Sequence, residues 1–207
     1  PIHYLQFAGM GHLYSRLVLG VARPRLGLLS IGEEEGKGPE ELRNAFGRLR
    51  ASGLNFVGNI EGKEIFSGAA DVILCDGFTG NVSLKVMEST AEMILEFLVR
   101  EARGSLRSRI GFLLARPTFR RFRRRIDYAE YGGVPLLGIR GCVVVCHGRS
   151  SPRAIQNAAR VVADFVRSRV IERIQEEIPA LGRQAVPEIT LPAPPAVQGI
   201  PGGGGES

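Results

Sequence analysis

An α/β fold built on a mostly parallel sheet is predicted by three observations. Short apolar runs alternate with helical segments, a glycine-bounded loop follows each run, and the later part of the chain carries apolar residues at helical spacing. Residues 3–20 place Leu5, Ala8, Leu13, Leu17 and Val18 on a helical repeat that stops at Gly20, with Pro24 just beyond. Leu26 to Ile31 reads as a strand closed by the acidic loop Gly32–Gly38, and Pro39 opens a helix over Glu40 to Ala51. Asn55 to Val57 is a second strand, with the loop Gly58–Gly62 and a short turn or helix near Lys63 to Phe66 after it. Asp71 to Cys75 is a third, running through Asp76 and Gly77 into a long helix that starts around Phe78 to Asn81.

That helix, from about Gly80 to Arg103, has a broad apolar face (Val82, Val86, Met93 and Phe97, with Leu84 and Leu98 beside it), which predicts burial on most sides. From Ser105 to Arg125, Leu106, Ile110, Leu113, Leu114, Phe119 and Phe122 recur among arginines and Pro117 divides the run, the pattern of a basic helical hairpin. Residues 136–146 read as paired strands around Arg140-Gly141, the second buried. Ser150 or Ser151 caps a last helix with Pro152 in its first turn. Ile155, Ala159, Val162, Val166, Val170, Ile174 and Ile178 form its core stripe, and Pro179 ends it. Residues 179–207 form a Pro- and Gly-rich tail that cannot bury enough apolar surface to order itself.

The 207 residues are 44% hydrophobic, which excludes wholesale disorder. The net charge of +6 is local: residues 100–125 hold ten Arg against one Glu, so the rest of the chain sums to −3. Three Cys are too few for a disulfide framework and point to a reducing, cytoplasmic setting. Cys142 and Cys146 read as core residues, and no metal site is expected. No apolar run approaches the ~20 residues of a membrane span. The chain opens on Pro1 without a signal-peptide pattern, so an upstream portion is expected.

In a parallel sheet the loops after Ile31, Val57, Cys75 and Cys146 are expected to meet at one crevice, where ligands bind. Asp76-Gly77-Phe78-Thr79-Gly80-Asn81 leads directly into a helix, and glycines there let backbone N–H groups approach an anion. Phosphate fits; an ordinary strand-to-helix turn capped by Thr79 fits as well. The chain has 24 Arg and only three Lys, and Lys37, Lys63 and Lys85 all fall in or just after these loops. A compact ammonium reaches a small oxyanion where a planar guanidinium does not fit. Lys85 is the candidate for function, against a simple pair with Glu88, while Lys63 reads as charge balance beside Glu61. Asn59 and His147 are candidate donors to phosphate or oxyanion, His147 alternatively a structural imidazole, and Asp76 would orient Lys85 or a water. The arginine-rich segment, with Arg120 and Arg121 among its charges, suits an anionic membrane surface or an acidic protein partner. Nucleic acid ranks last, because no reader motif accompanies the charge.

Arg25–Gly38, Asn55–Gly62, Ala70–Lys85 and Asp127–Gly138, in this order and spacing, closely resemble the bacterial phosphate acyltransferase family of the PlsX type, from Pro1 to about Ile178. The resemblance implies a three-layer α/β/α fold similar to phosphotransacetylases and isocitrate-dehydrogenase-like enzymes, a homodimer, and peripheral association with the cytoplasmic membrane. It implies acyl transfer from acyl carrier protein to inorganic phosphate without a cofactor. The acyl phosphate would serve phospholipid synthesis, with a downstream glycerol-3-phosphate acyltransferase as its consumer. Family members extend further at the N-terminus, so this chain would be the C-terminal part of the domain, with little or no activity by itself. A phosphotransacetylase-like enzyme using acyl-coenzyme A is the nearest alternative, and a non-catalytic basic binding module the more distant one.

Overall fold

The computed structural model describes residues 2–126 and 132–184. Strands β1 (Leu26–Leu29), β2 (Phe56–Ile60) and β3 (Val72–Leu74) form a parallel sheet in the order β2-β1-β3. Helices α1 (Ile2–Leu17) and α2 (Glu40–Ala51) flank it, and the mixed architecture agrees with a three-layer α/β/α fold. β1 is central because its residues suit burial on both faces. Leu26 and Leu28 are fully buried against Tyr4, Leu5 and Ala8 of α1 and Ala45, Phe46 and Leu49 of α2. Gly27 turns to the opposite face, where a Cβ would fall 2.1 Å from Cγ1 of Ile60, so the residue must be glycine for Ile60 to cross it.

β2 runs further than its sequence suggests. Leu26 pairs with Phe56 and Gly27 with Gly58, which leaves Val57 as an extra residue, and Gly58 adopts φ +107°. The glycine taken to open a loop is therefore a bulge inside a strand that continues to Ile60. Asn59, expected in that loop, is a strand residue beside Leu28 and is buried. At the opposite end of the strands, Asp71 accepts from the backbone N–H of Arg25 at 2.8 Å and from its guanidinium at 3.0 and 2.9 Å. These bonds hold the Asp71 carboxyl down at about 2 and fasten β3 to β1.

Beyond β3 the structure departs further from expectation. α3 (Gly77–Arg103) buries no residue at all; Leu84, Val86 and Phe97 are more than half exposed. α4 (Leu106–Ile126) is one helix that passes through Pro117, so the hairpin turns at Gly104-Ser105 between α3 and α4 rather than at the proline. Pro117 is tolerated because the carbonyl it leaves without a helical donor can be met by water on an exposed helix. Amphipathic spacing shows that a face needs covering, not that this chain covers it; among the described residues α4 is the element that lies along α3.

β4 (Val134–Pro135) and β5 (Val144–Val145) form a separate antiparallel pair, Val134 opposite Val145. The second of them is not buried, with Val143 and Val145 about half exposed, because a two-stranded ribbon offers one face to a helix and the other to solvent. Ser151 caps α5 (Pro152–Arg167) by accepting from the Ala154 N–H at 3.2 Å. The last helical stretch is two helices. It breaks at Arg169, φ 51°, and resumes as α6 (Val170–Gln184), which contains Pro179 instead of ending there. Ala154, Ala158, Phe165 and Val170 are the buried positions, while Ile155 and Val166 are more than half exposed, because it is the Ala154–Ala158 side of α5 that packs closely against the backbone at Gly132. α6 lies so close on α1 that a Cβ at Gly9 would fall 2.3 Å from Cδ1 of Ile178. Residues 127–131 and the expected unstructured tail from 185 onward lie outside the described residues.

Leu28→Ala is expected to lower unfolding free energy by about 2–5 kcal/mol. Leu114→Ala on the exposed α4 should change it by less than about 0.5 kcal/mol, both read from urea denaturation.

Candidate active site

The order β2-β1-β3 places a topological switch point between β1 and β3, since the chain leaves β1 toward β2 on one side and returns as β3 on the other. Ligands of open parallel sheets bind where the strands' carboxyl ends diverge in this way. Two connections border that point: residues 30–39 after β1, and Cys75-Asp76 leading into α3. The connection after β2 starts from the same edge.

In the turn into α3 the cap is Asp76, not Thr79. Its carboxylate accepts from the Thr79 N–H at 2.8 Å and from the Thr79 hydroxyl at 2.5 Å. These bonds, the Thr79 hydroxyl foremost, lower the Asp76 carboxyl below the ordinary carboxylate value. The same bonds occupy part of the helix N-terminus that an external anion would otherwise use. Gly77 and Asn81 are exposed in the first turns, and Gly80 approaches Cys75 so closely that a Cβ would lie 2.9 Å from its Sγ. Burial, and then Asp76, push the Cys75 thiol up. Lys85 stands further along α3, exposed, and donates to Glu88 at 2.7 Å, so Asp76 caps the helix rather than orienting this lysine.

Asn59 turns its amide to the Glu34 carbonyl at 2.8 Å and so ties β2 to the loop after β1. That loop is latched further by ion pairs. Lys63 bonds Glu61 at 3.0 Å and reaches Glu33 at 3.6 Å, while Arg50 bonds Glu35. Each of the three consecutive glutamates has a cationic partner, Glu34 through Lys37 at 4.0 Å. His147 follows β5 in the other sheet, so the fourth glycine loop does not leave the parallel edge. Its Nδ1 accepts from the Arg149 N–H at 3.1 Å, which assigns the proton of the neutral ring to Nε2.

Two residues of this edge escaped the sequence reading. Ser30, next after β1, has a buried hydroxyl with no hydrogen-bond partner among the described residues. Its signal was faint: a single polar residue between an apolar run and Ile31-Gly32. Tyr4 of α1 is buried, and its phenol is raised by that burial and then by Asp76, which puts α1 close to the turn into α3. No sequence spacing links Tyr4 to Asp76.

On the arginine-rich hairpin, an open groove of about 1020 Å³ runs between α3 and α4, lined by Val99, Arg103, Phe112, Arg116, Phe119 and Arg120 among others. Phe112 and Phe119 stack at 4.7 Å. Leu106, Ile110, Leu113, Leu114 and Phe122 are exposed on α4, as is Arg121. Among the described residues no helix is long and apolar enough to cross a membrane, and no group of three or more His, Cys, Asp or Glu side chains could hold a metal ion.

The parallel sheet and its helices define a mixed α/β protein, a class in which ligands bind at the carboxyl ends of the strands. Residues 1–173 match the fatty acid synthesis protein family, and the chain belongs to that family. It is 47% identical over 188 residues to a phosphate acyltransferase of Citrifermentans bemidjiense, covering 89% of this chain and 53% of that protein. It is 50% identical over 174 residues to the phosphate acyltransferase of Syntrophotalea carbinolica, 84% of this chain and 50% of that one. To the phosphate acyltransferase of Heliobacterium modesticaldum it is 49% identical over 179 residues, 86% and 53% respectively. The chain spans about half the length of these curated relatives.

Asp76→Ala is expected to cost about 1 kcal/mol at neutral pH by removing the α3 cap. Because the folded-state carboxyl lies below the ordinary 3.8, the cap's contribution is present above that pH and fades as pH falls below it. Urea midpoints of wild type and variant should therefore differ at pH 7 and converge in acid.

Proposed function

We propose that the protein acts in acyl transfer from an acyl carrier protein thioester to inorganic phosphate, giving acyl phosphate for phospholipid synthesis. The observation that carries this reading is the high identity, along most of the chain, to proteins named phosphate acyltransferase. A phosphate oxygen attacks the thioester carbonyl, a tetrahedral oxyanion forms, and the C–S bond breaks as the carrier thiolate leaves and is protonated. Such chemistry needs an anion held in line with the carbonyl and donors for the developing charge.

Phosphate sits at the switch point beside Gly77, Thr79, Gly80 and Asn81, with Lys85 exchanging Glu88 for the anion. Ser30 supplies a hydroxyl. Asn59 serves as a positioning residue through its hold on the β1 loop, and Asp76 by setting the first turn of α3. The Nε2 proton of His147 is a donor for the oxyanion, in a site completed by parts of the protein other than the parallel edge. In the full-length protein, Lys85→Ala should raise the phosphate KM at least tenfold while leaving the acyl-donor KM within about twofold. Unchanged phosphate dependence would remove Lys85 from the site. Turnover of acyl-coenzyme A in preference to acyl carrier protein would favour the phosphotransacetylase-like alternative.

The α3–α4 hairpin gives the protein its peripheral membrane contact and leaves the remaining apolar face of α3 for a second copy in a homodimer. Exposed Leu113, Leu114 and Phe122 beside Arg120 and Arg121 support the membrane reading, because apolar side chains and guanidinium groups together suit an anionic bilayer surface. Leu113→Glu combined with Phe119→Glu should abolish flotation with anionic liposomes and spare carrier-protein affinity. Loss of carrier affinity instead would assign the hairpin to that partner.

A further inference from the structure

The three most exposed large apolar side chains among the described residues are not on the hairpin. They are Ile31 at 82%, Phe66 at 82% and Phe78 at 80%, one in each connection that leaves β1, β2 and β3. Scattered apolar residues on a surface are ordinary; three of this size at one sheet's connections are not. β1 and β3 are neighbours, with Leu28 beside Leu74, and their chains reach Ile31 and Phe78 shortly after leaving the sheet. Both side chains therefore belong to the carboxyl edge, at the switch point. Phe78 lies between Gly77 and Thr79, inside the turn assigned above to phosphate. Phe66 follows the short 3-10 turn Gly62–Glu64 in the connection from β2 to β3.

Resting on the acyl-transfer reading, we infer that Ile31 and Phe78 seat the first methylenes of the donor's acyl chain and so favour donors that carry them over acetyl. The reacting carbonyl must come within about 3–3.5 Å of a phosphate oxygen, so the methylenes next to it pass the side chains that adjoin the anion. A polar wall there would leave those methylenes without apolar contact, whereas an isoleucine and a phenylalanine remove them from water. The neighbouring acidic loop does not oppose this, because Glu33, Glu34 and Glu35 are each matched by a lysine or arginine. The head group and the chain thus meet different chemistry within one turn: backbone and ammonium donors on one side, hydrocarbon on the other.

The test uses the full-length protein with hexadecanoyl and acetyl thioesters of the carrier protein at saturating phosphate. Ile31→Ser and Phe78→Ser should each lower the ratio of kcat/KM for the long donor over the short one about tenfold, with an unchanged thermal midpoint. Should a serine variant precipitate, Ile31→Ala and Phe78→Ala give the same comparison with a milder change. A wild-type protein without phosphate-dependent turnover would overturn the acyl-transfer reading itself. Wild-type turnover with the chain-length ratio unaltered in the variants would overturn only the acyl seat. Equal losses on both donors, or a change in sedimentation that accompanies the loss, would also overturn it and assign these side chains to packing against a second copy or another part of the protein.

Discussion

Burial of β1 on both faces and along both edges is the constraint from which the rest of the described structure follows. Leu26 and Leu28 have no exposed surface, α1 and α2 close over them, and parallel partners take up the backbone groups on either side. A strand in that position must read as nearly continuous apolar sequence, which Leu26–Leu29 does, with one glycine where Ile60 needs room. Because its two neighbours are reached in opposite directions, the edge where β1 ends is also where the loops part. The core and the candidate site are thus two consequences of one topological arrangement.

Charge is spent differently in the two halves of the molecule. Around the parallel sheet the acidic loop and the strand ends carry paired charges: Asp71 with Arg25, Glu33 with Lys63, Glu34 with Lys37, Glu35 with Arg50. Most of these pairs are exposed and contribute little to stability singly. Their structural effect is to hold the β1 loop in place and leave the edge close to neutral. On the hairpin the arginines outnumber acids heavily, and the apolar residues between them stand in solvent. A surface that is both cationic and apolar is suited to contact with something outside this chain, which sets α3 and α4 apart from the sheet they extend from.

Local sequence determined a good part of this. The apolar run of β1, the placement of α2 with acids in its first turn and arginines in its last, and the serine cap of α5 follow from propensity, capping and dipole chemistry acting over a few residues. The glycine turn into α3 was legible for the same reason. Resemblance across four spaced segments carried the family, which no single loop could have done.

Tertiary structure decided what depends on neighbours distant in sequence. Whether Gly58 ends a strand or bulges within it is settled by its pairing with β1, and that pairing moves Asn59 from a loop into a buried strand position. Whether the apolar face of α3 is interior depends on what lies against it, which helical periodicity does not encode. The proximity of Tyr4 to the turn into α3 arises from the packing of α1, far from that turn in sequence. Sequence alone therefore determined which residues prefer strand, helix, cap or turn, because those preferences are local. Only the fold decided which of them share an edge, because that requires contacts between segments far apart along the chain.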